Sequence, residues 1–113
     1  MKKFLSIMML SFTLTSFAQD QPINYNQVPQ AGQKFINKNF GAKQVGSVLL
    51  DDDYFSKEYQ VYLANGTKIE LDGNGAWKEV DGNRNAIPTS FIPAKISNYV
   101  KKSFPNTKIT KIE

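Results

Sequence analysis

The sequence has 113 residues, a formal net charge of +4, and neither histidine nor cysteine. A chain of this length makes one small domain, and the two missing residue types exclude a Ser-His-Asp triad, a cysteine nucleophile, a thiolate or imidazole zinc site and a histidine pH switch. No disulfide framework is available, so the fold rests on its apolar core.

The chain opens with the short basic stretch Met1-Lys2-Lys3, the apolar run Phe4 to Leu14 and the small-residue pair of Ser16-Phe17-Ala18. This layout predicts a signal peptide over residues 1–18, cleaved after Ala18. The apolar run is interrupted by Ser11, Thr13 and Thr15 and is well short of the roughly 20 residues of a spanning helix. The mature chain is therefore expected in the periplasm or outside the cell, without stable membrane insertion. Lys2 and Lys3 leave with the signal, and the remaining lysines are scattered among acids with a single arginine, Arg84. That distribution lacks the concentrated basic patch of a nucleic-acid binder.

Residues 19–27 are polar, lack periodicity and read as a flexible leader. From Val28 onward, Ala31, Phe35, Ile36 and Phe40 recur at the spacing of one helical face, with Pro29 at a first-turn position and Gly41 as terminator. The spacing predicts a helix from Pro29 to Asn39. Lys43 to Leu50 reads as a strand closed by Asp51-Asp52-Asp53. Tyr59, Val61 and Leu63 then alternate with Gln60 and Tyr62, and Thr67, Ile69 and Leu71 alternate again, which predicts a hairpin around a type I′ turn at Asn65-Gly66. Asp72-Gly73-Asn74-Gly75 turns into a strand from Ala76 to Val80, ended by Asp81-Gly82-Asn83. Ile92, Ile96, Tyr99, Val100 and Phe104 mark a second helical face, stopped by Pro105-Asn106 before a short strand, Lys108 to Ile112.

The two helical segments superpose at an offset of 64 residues: Val28-Pro29 on Ile92-Pro93, Phe35-Ile36 on Tyr99-Val100, Lys38 on Lys102, Phe40 on Phe104, Val45 on Ile109 and Val48 on Ile112. Each helix-then-strand piece is too small to bury its own apolar side, so both helices are expected to cover a shared sheet. The elements predict an α+β fold over residues 28–113, with two helices packed on one face of an antiparallel sheet of about five strands. The order is helix, four-strand meander, helix, strand.

The stretch Tyr59 to Trp77, with its Asn-Gly, Asp-Gly-Asn-Gly and Trp signature, and the terminal Phe104 to Glu113, Phe-Pro-x-x-Lys-Ile-x-Lys-Ile-Glu, resemble the PepSY-like secreted proteins, also called beta-lactamase-inhibitor-like. The resemblance covers Val28 to Glu113 and implies an α+β fold and a non-enzymatic role, by analogy with inhibitors of secreted enzymes and propeptide modules that restrain peptidases. Members of that family carry two full helix-plus-sheet units, whereas this sequence holds one and the opening of a second.

Candidate sites are few. Asp51-Asp52-Asp53 and Asp72-x-Asn74-Gly75 carry oxygen ligands, yet counted as a calcium loop from Asp72 the twelfth position is Asn83 and the glycine falls at the fourth place, unlike an EF-hand. They read as turns and a solvated loop, with no metal and no cofactor expected. Glu58, Glu70, Asp72 and Glu79 are numerous enough for a carboxylate pair, and Ser90 with Lys95 for a Ser/Lys hydrolase, but neither set forms a motif, and no catalytic residue is assigned. The aromatics are more informative. Tyr59 shares a face with Val61 and Leu63 and is assigned to the core, while Tyr62 falls on the opposite face. Tyr54, Tyr62 and Trp77 are the candidate partner-binding residues, because Tyr and Trp bury large areas with few rotamers to fix. The side of the sheet that Trp77 takes is left open by the turn before it. The expected function is a secreted protein-binding module, an inhibitor or modulator of a secreted or periplasmic enzyme. The alternative is a structural envelope protein that associates with a second copy of itself through an exposed sheet edge.

Overall fold

The computed structural model describes residues 20–53 and 55–113; the predicted signal segment and the candidate residue Tyr54 lie outside the described residues. The chain forms β1 (Asp20–Ile23), α1 (Gln30–Asn39), β2 (Val45–Asp52), β3 (Lys57–Leu63), β4 (Lys68–Asp72), β5 (Trp77–Asp81), α2 (Ala94–Ser103) and β6 (Lys111–Ile112), with short 3-10 turns at Tyr25–Gln27 and Ala42–Gln44. The six strands make one antiparallel sheet in the order β1-β2-β3-β4-β5-β6. The α+β class, the two helices and the meander are as the sequence predicts.

The strand beyond the five expected is β1, in the segment read as a leader. It pairs with β2 from Asp20 opposite Asp51 to Ile23 opposite Val48. This edge is held through backbone groups and needs no side-chain periodicity, and Pro22 is tolerated because it stands on an edge strand. Tyr25 ties the same segment to α1, its single hydroxyl proton shared between the Gln33 carbonyl at 3.1 Å and Asn37 Oδ1 at 2.9 Å.

Alternation along β3 and β4 sorts the sheet into two faces. Tyr59, Val61, Leu63, Ile69 and Leu71 are buried, together with Val48 and Val80 from the flanking strands. α1 seats Ile36 among them with no exposed surface, and Val28, just before the helix, is buried as well. Pro29 caps the helix start and Gly41, at φ +97°, turns the chain out of it, where a residue with a Cβ would be strained.

The hairpin between β3 and β4 has a turn other than the type I′ expected. Gly66 has φ +94° but Asn65 is not in the left-handed region. Gly66 N–H donates to the Leu63 carbonyl at 3.0 Å and Leu63 N–H to the Thr67 carbonyl at 2.8 Å. This is a three-residue loop closing on a left-handed glycine. Asn65 serves through its side chain instead, Oδ1 accepting from Thr67 N–H at 3.0 Å. The Asp72–Ala76 turn repeats the pattern, with Gly75 N–H on the Asp72 carbonyl at 2.9 Å and Asp72 N–H on the Ala76 carbonyl at 2.8 Å.

The offset of 64 residues is visible in the backbone. Both helices span ten residues, start after a proline cap (Pro29, Pro93) and end on a phenylalanine whose N–H returns to the residue four back: Phe40 to Ile36 at 2.8 Å and Phe104 to Val100 at 2.7 Å. Their burial differs. α2 has no buried residue, although Ile87 and Ile92, which lead into it, join the core. The apolar stripe that predicted packing is in place, but Ile96, Tyr99 and Phe104 are 46%, 64% and 54% exposed.

Candidate functional site

The face of the sheet opposite α1 is uncovered by any described element. By alternation and register it carries Ser47, Leu49 and Asp51 from β2, Glu58, Gln60 and Tyr62 from β3, and Lys68 and Glu70 from β4. Glu79 and Asp81 of β5 stand opposite Glu70 and Lys68, and Lys111 of β6 opposite Asp81. Tyr62 stands in the third strand of six, half-buried, its hydroxyl 3.3 Å from Gln60 Oε1 and donating to it. It is the one of the three candidate aromatics that the structure places on this face.

Trp77 is on the other side. Val80 is buried, and strict alternation from it would put Trp77 on the open face beside Glu79. A bulge intervenes, because Glu70 pairs with Glu79 but Leu71 with Trp77, so one extra residue enters β5 and the indole turns to the core side. There it stacks on Phe35 (centroids 6.1 Å apart, planes at 19°) and meets the edge of Phe91 at 5.3 Å. The candidate trio is therefore not one patch: Tyr62 faces out from the sheet, Trp77 lies under α1, and Tyr54 lies outside the described residues. The neighbouring Phe55 is 91% exposed in the loop between β2 and β3.

Two ion pairs lie on the open face, Lys78 Nζ of β5 to Glu58 Oε2 of β3 at 2.8 Å and, along β4, Lys68 Nζ to Glu70 Oε2 at 3.1 Å. The Lys78 ammonium holds the Glu58 carboxyl below its ordinary range, and the Glu58 and Glu70 carboxylates raise Lys78 and Lys68 above theirs. Acids outnumber these cations. Glu79 is pushed up, first by loss of solvent and then by the carboxyls of Glu113 and Glu70 beside it. Asp51 is pushed up by loss of solvent and by the charges of Asp20 and Glu58.

The sign for Glu79 follows from linkage. Its folded-state affinity for a proton exceeds that of the unfolded chain, so the ionised carboxylate opposes folding above that pKa and the penalty fades as pH falls through it. Glu79→Gln is expected to raise Tm at pH 7 and to remove the part of the stability gain that the parent shows on mild acidification. A thermal melt series from pH 7 to pH 4 reads both. An unchanged Tm at pH 7 would remove the repulsion assigned to Glu79.

A cleft of about 250 Å³ lies between α2 and the loops before and after it, lined by Ile87, Ser97, Val100, Lys101, Thr107 and Ile109 among others. No group of three or more acidic side chains among the described residues is arranged to hold a metal ion. No helix among them is long and apolar enough to cross a membrane.

Comparison with known proteins places this geometry. The model of the beta-lactamase-inhibitor-like, PepSY-like family matches residues 57–113. Three solved structures are similar over most of the chain. A candidate calcium-regulated periplasmic protein from Bacteroides thetaiotaomicron is 39% identical with a TM-score of 0.78, covering 83% of this chain and 74% of its own. A candidate periplasmic protein of the DUF2874 family from Bacteroides vulgatus is 38% identical with a TM-score of 0.79, covering 86% and 76%. A candidate periplasmic protein of unknown function from the same species is 33% identical with a TM-score of 0.75, covering 84% and 77%. No curated protein matches the chain.

Proposed function

Because the chain belongs to the beta-lactamase-inhibitor-like, PepSY-like family, we propose that it is a non-enzymatic protein-binding module that works through its open sheet face, as an inhibitor or modulator of a secreted or periplasmic enzyme. It is a periplasmic or secreted protein, the location shared by its structural neighbours. The observation that carries the reading is Tyr62, half-buried on an uncovered face and ringed by Gln60, Lys68 and Ser47 at adjacent register positions. An aromatic ring with a hydroxyl tip, set among side chains of both signs, has the composition of a binding hot spot with a polar rim. The calcium regulation in the name of one neighbour is not carried over, since the acidic side chains of the described face do not converge.

The test is capture from native envelope and culture medium on immobilised mature chain, read by mass spectrometry, with Tyr62→Ala as the paired bait. The expected result is one dominant partner whose affinity falls by about 2 kcal/mol, roughly thirtyfold, in the variant. A partner held equally by both baits would overturn the assignment to Tyr62. Recovery of the chain alone would favour the second reading, self-association, which rests on the outer edge of β6: it pairs with β5 on one side and with no described strand on the other.

A further inference from the structure

Eight of the ten acids in the sequence lie between Asp51 and Asp81, from the end of β2 through β5. Asp52 and Asp53 aside, all of them stand in register on the open face: Asp51, Glu58, Glu70, Asp72, Glu79 and Asp81. Three lysines reach the same face, Lys68, Lys78 and Lys111, while the chain as a whole carries more cations than acids. The pairing of the strands thus gathers an acidic surface onto one side of a basic protein.

The acids are also set against one another. Asp51 stands opposite Glu58, Glu58 opposite Asp72, and Glu70 opposite Glu79, and like charges directly opposite on one face destabilise a sheet. Lys78 and Lys68 pair with Glu58 and Glu70, but no ion pair to Asp51 or Glu79 forms among the described residues. Loss of solvent and then the neighbouring carboxyls raise both of these acids. A sheet that leaves such repulsion in place departs from the rule for stability, and departures of that kind collect at working surfaces. On the same face Tyr62 and Leu49 are diagonal neighbours on β3 and β2, both half-buried. The face of a phenol ring attracts a guanidinium or ammonium group, and the aliphatic stem of such a side chain packs on apolar surface.

Given the binding role assigned above to the open face, on which this inference rests, we propose that its partner is basic: a protein segment that lays one arginine or lysine side chain over the Tyr62 ring and others between the facing carboxylates of β2 to β5. Charge complementarity selects this occupant. A second copy laid face to face would set the same acids against their own equivalents, a like-charge contact that disfavours it. A metal ion does not fit, since no three acidic side chains among the described residues are arranged to hold one. A segment with several spaced cations meets acids that are spread across four strands rather than converging on a point.

The test is fluorescence anisotropy of the mature chain with two labelled peptides of about ten residues, one alternating arginine and serine, the other alternating glutamate and serine. At about 0.05 M salt the arginine peptide is expected to bind at least about tenfold more tightly than the glutamate peptide, and to weaken at about 0.5 M. A net positive chain that bound by overall charge alone would show the reverse order. Asp51→Lys and Glu79→Lys should each weaken the arginine peptide by about tenfold or more. Both replace an acid that faces another acid, so the thermal melt should not fall. Asp52→Lys is the same change one residue along, opposite Lys57 and on the other side of the sheet, and should stay within about twofold of the parent. No binding of the arginine peptide, equal binding of the two peptides, or equal losses in Asp51→Lys and Asp52→Lys would overturn the proposal. So would self-association, by sedimentation velocity, that Tyr62→Ala abolishes, which assigns the face to a second copy. The same variants used as capture baits separate the two levels of the reading. A partner lost by Tyr62→Ala but held by Asp51→Lys and Glu79→Lys would leave the face a binding surface and refute the basic partner; one held by all three would remove the binding role of the face itself.

Discussion

Trp77→Ala is expected to destabilise the domain by about 3 kcal/mol, measured as a shift of the urea midpoint with unchanged slope. The indole is the centre of an aromatic cluster: it stacks on Phe35, meets Phe91 edge-on, and Phe91 in turn contacts Phe35 at 5.0 Å and Phe40 at 6.0 Å. Removing it leaves a void between α1 and the sheet and also breaks ring pairs worth about 0.5–1.5 kcal/mol each. Against a total stability of about 5–15 kcal/mol for such a domain, that is a large share. Tyr62→Ala, on the uncovered face, should cost about 1 kcal/mol or less of stability while weakening capture roughly thirtyfold. The two variants separate stability from binding. If Trp77→Ala melted like the parent and lost the partner, the indole would belong to the binding surface and the bulge in β5 would be misassigned.

Gly75→Ala is expected to cost about 2–4 kcal/mol, for two reasons that add. The backbone stands at φ +91°, a region that disfavours a Cβ by about 1–2 kcal/mol. A Cβ there would also lie 2.8 Å from Gly32 N and 2.9 Å from Pro29 Cβ, so the first turn of α1 must shift away from the β4–β5 turn. Gly32 is the other half of the contact: a Cβ added there would meet Leu71 Cδ1 at 2.7 Å and the Gly75 carbonyl at 3.2 Å. A control is Gly73→Ala, where the nearest atom is the Lys57 carbonyl at 3.4 Å and φ lies outside the positive region; its midpoint should stay within about 1 kcal/mol of the parent. Equal effects at Gly73 and Gly75 would mean that the helix and turn do not touch.

These two positions show what a sequence conveys and where it stops. The tetrad Asp72-Gly73-Asn74-Gly75 announces a turn by composition, but which glycine must lack a side chain depends on α1 lying across it, a contact between residues more than forty positions apart. Trp77 is similar. Alternation in β3 and β4 is legible because period two over several residues assigns each side chain to a face, and Tyr59 and Tyr62 fall as that rule predicts. In β5 one inserted residue reverses the rule, and nothing in the string Ala-Trp-Lys-Glu-Val marks where it enters.

The polar face was legible in outline and Tyr62 in particular, because an outward residue of a long alternating strand has nowhere else to point. The division of charge between helices and meander was present in the sequence too, as two long stretches free of acid. The exposure of α2 ran against its pattern: the apolar spacing that buries Ile36 in α1 recurs in α2, where Ile96, Tyr99 and Phe104 are exposed.

Local spacing by itself determined the α+β class, both helices and their proline starts, the meander, and Tyr62 on the open side, since each follows from periodicities of a few residues and from the chemistry of Pro, Gly and Asn. The edge strand β1, the side taken by Trp77, the glycine pair under α1 and the exposure of α2 were decided by tertiary structure, because each depends on which distant backbone or side chain arrives to fill the neighbouring space.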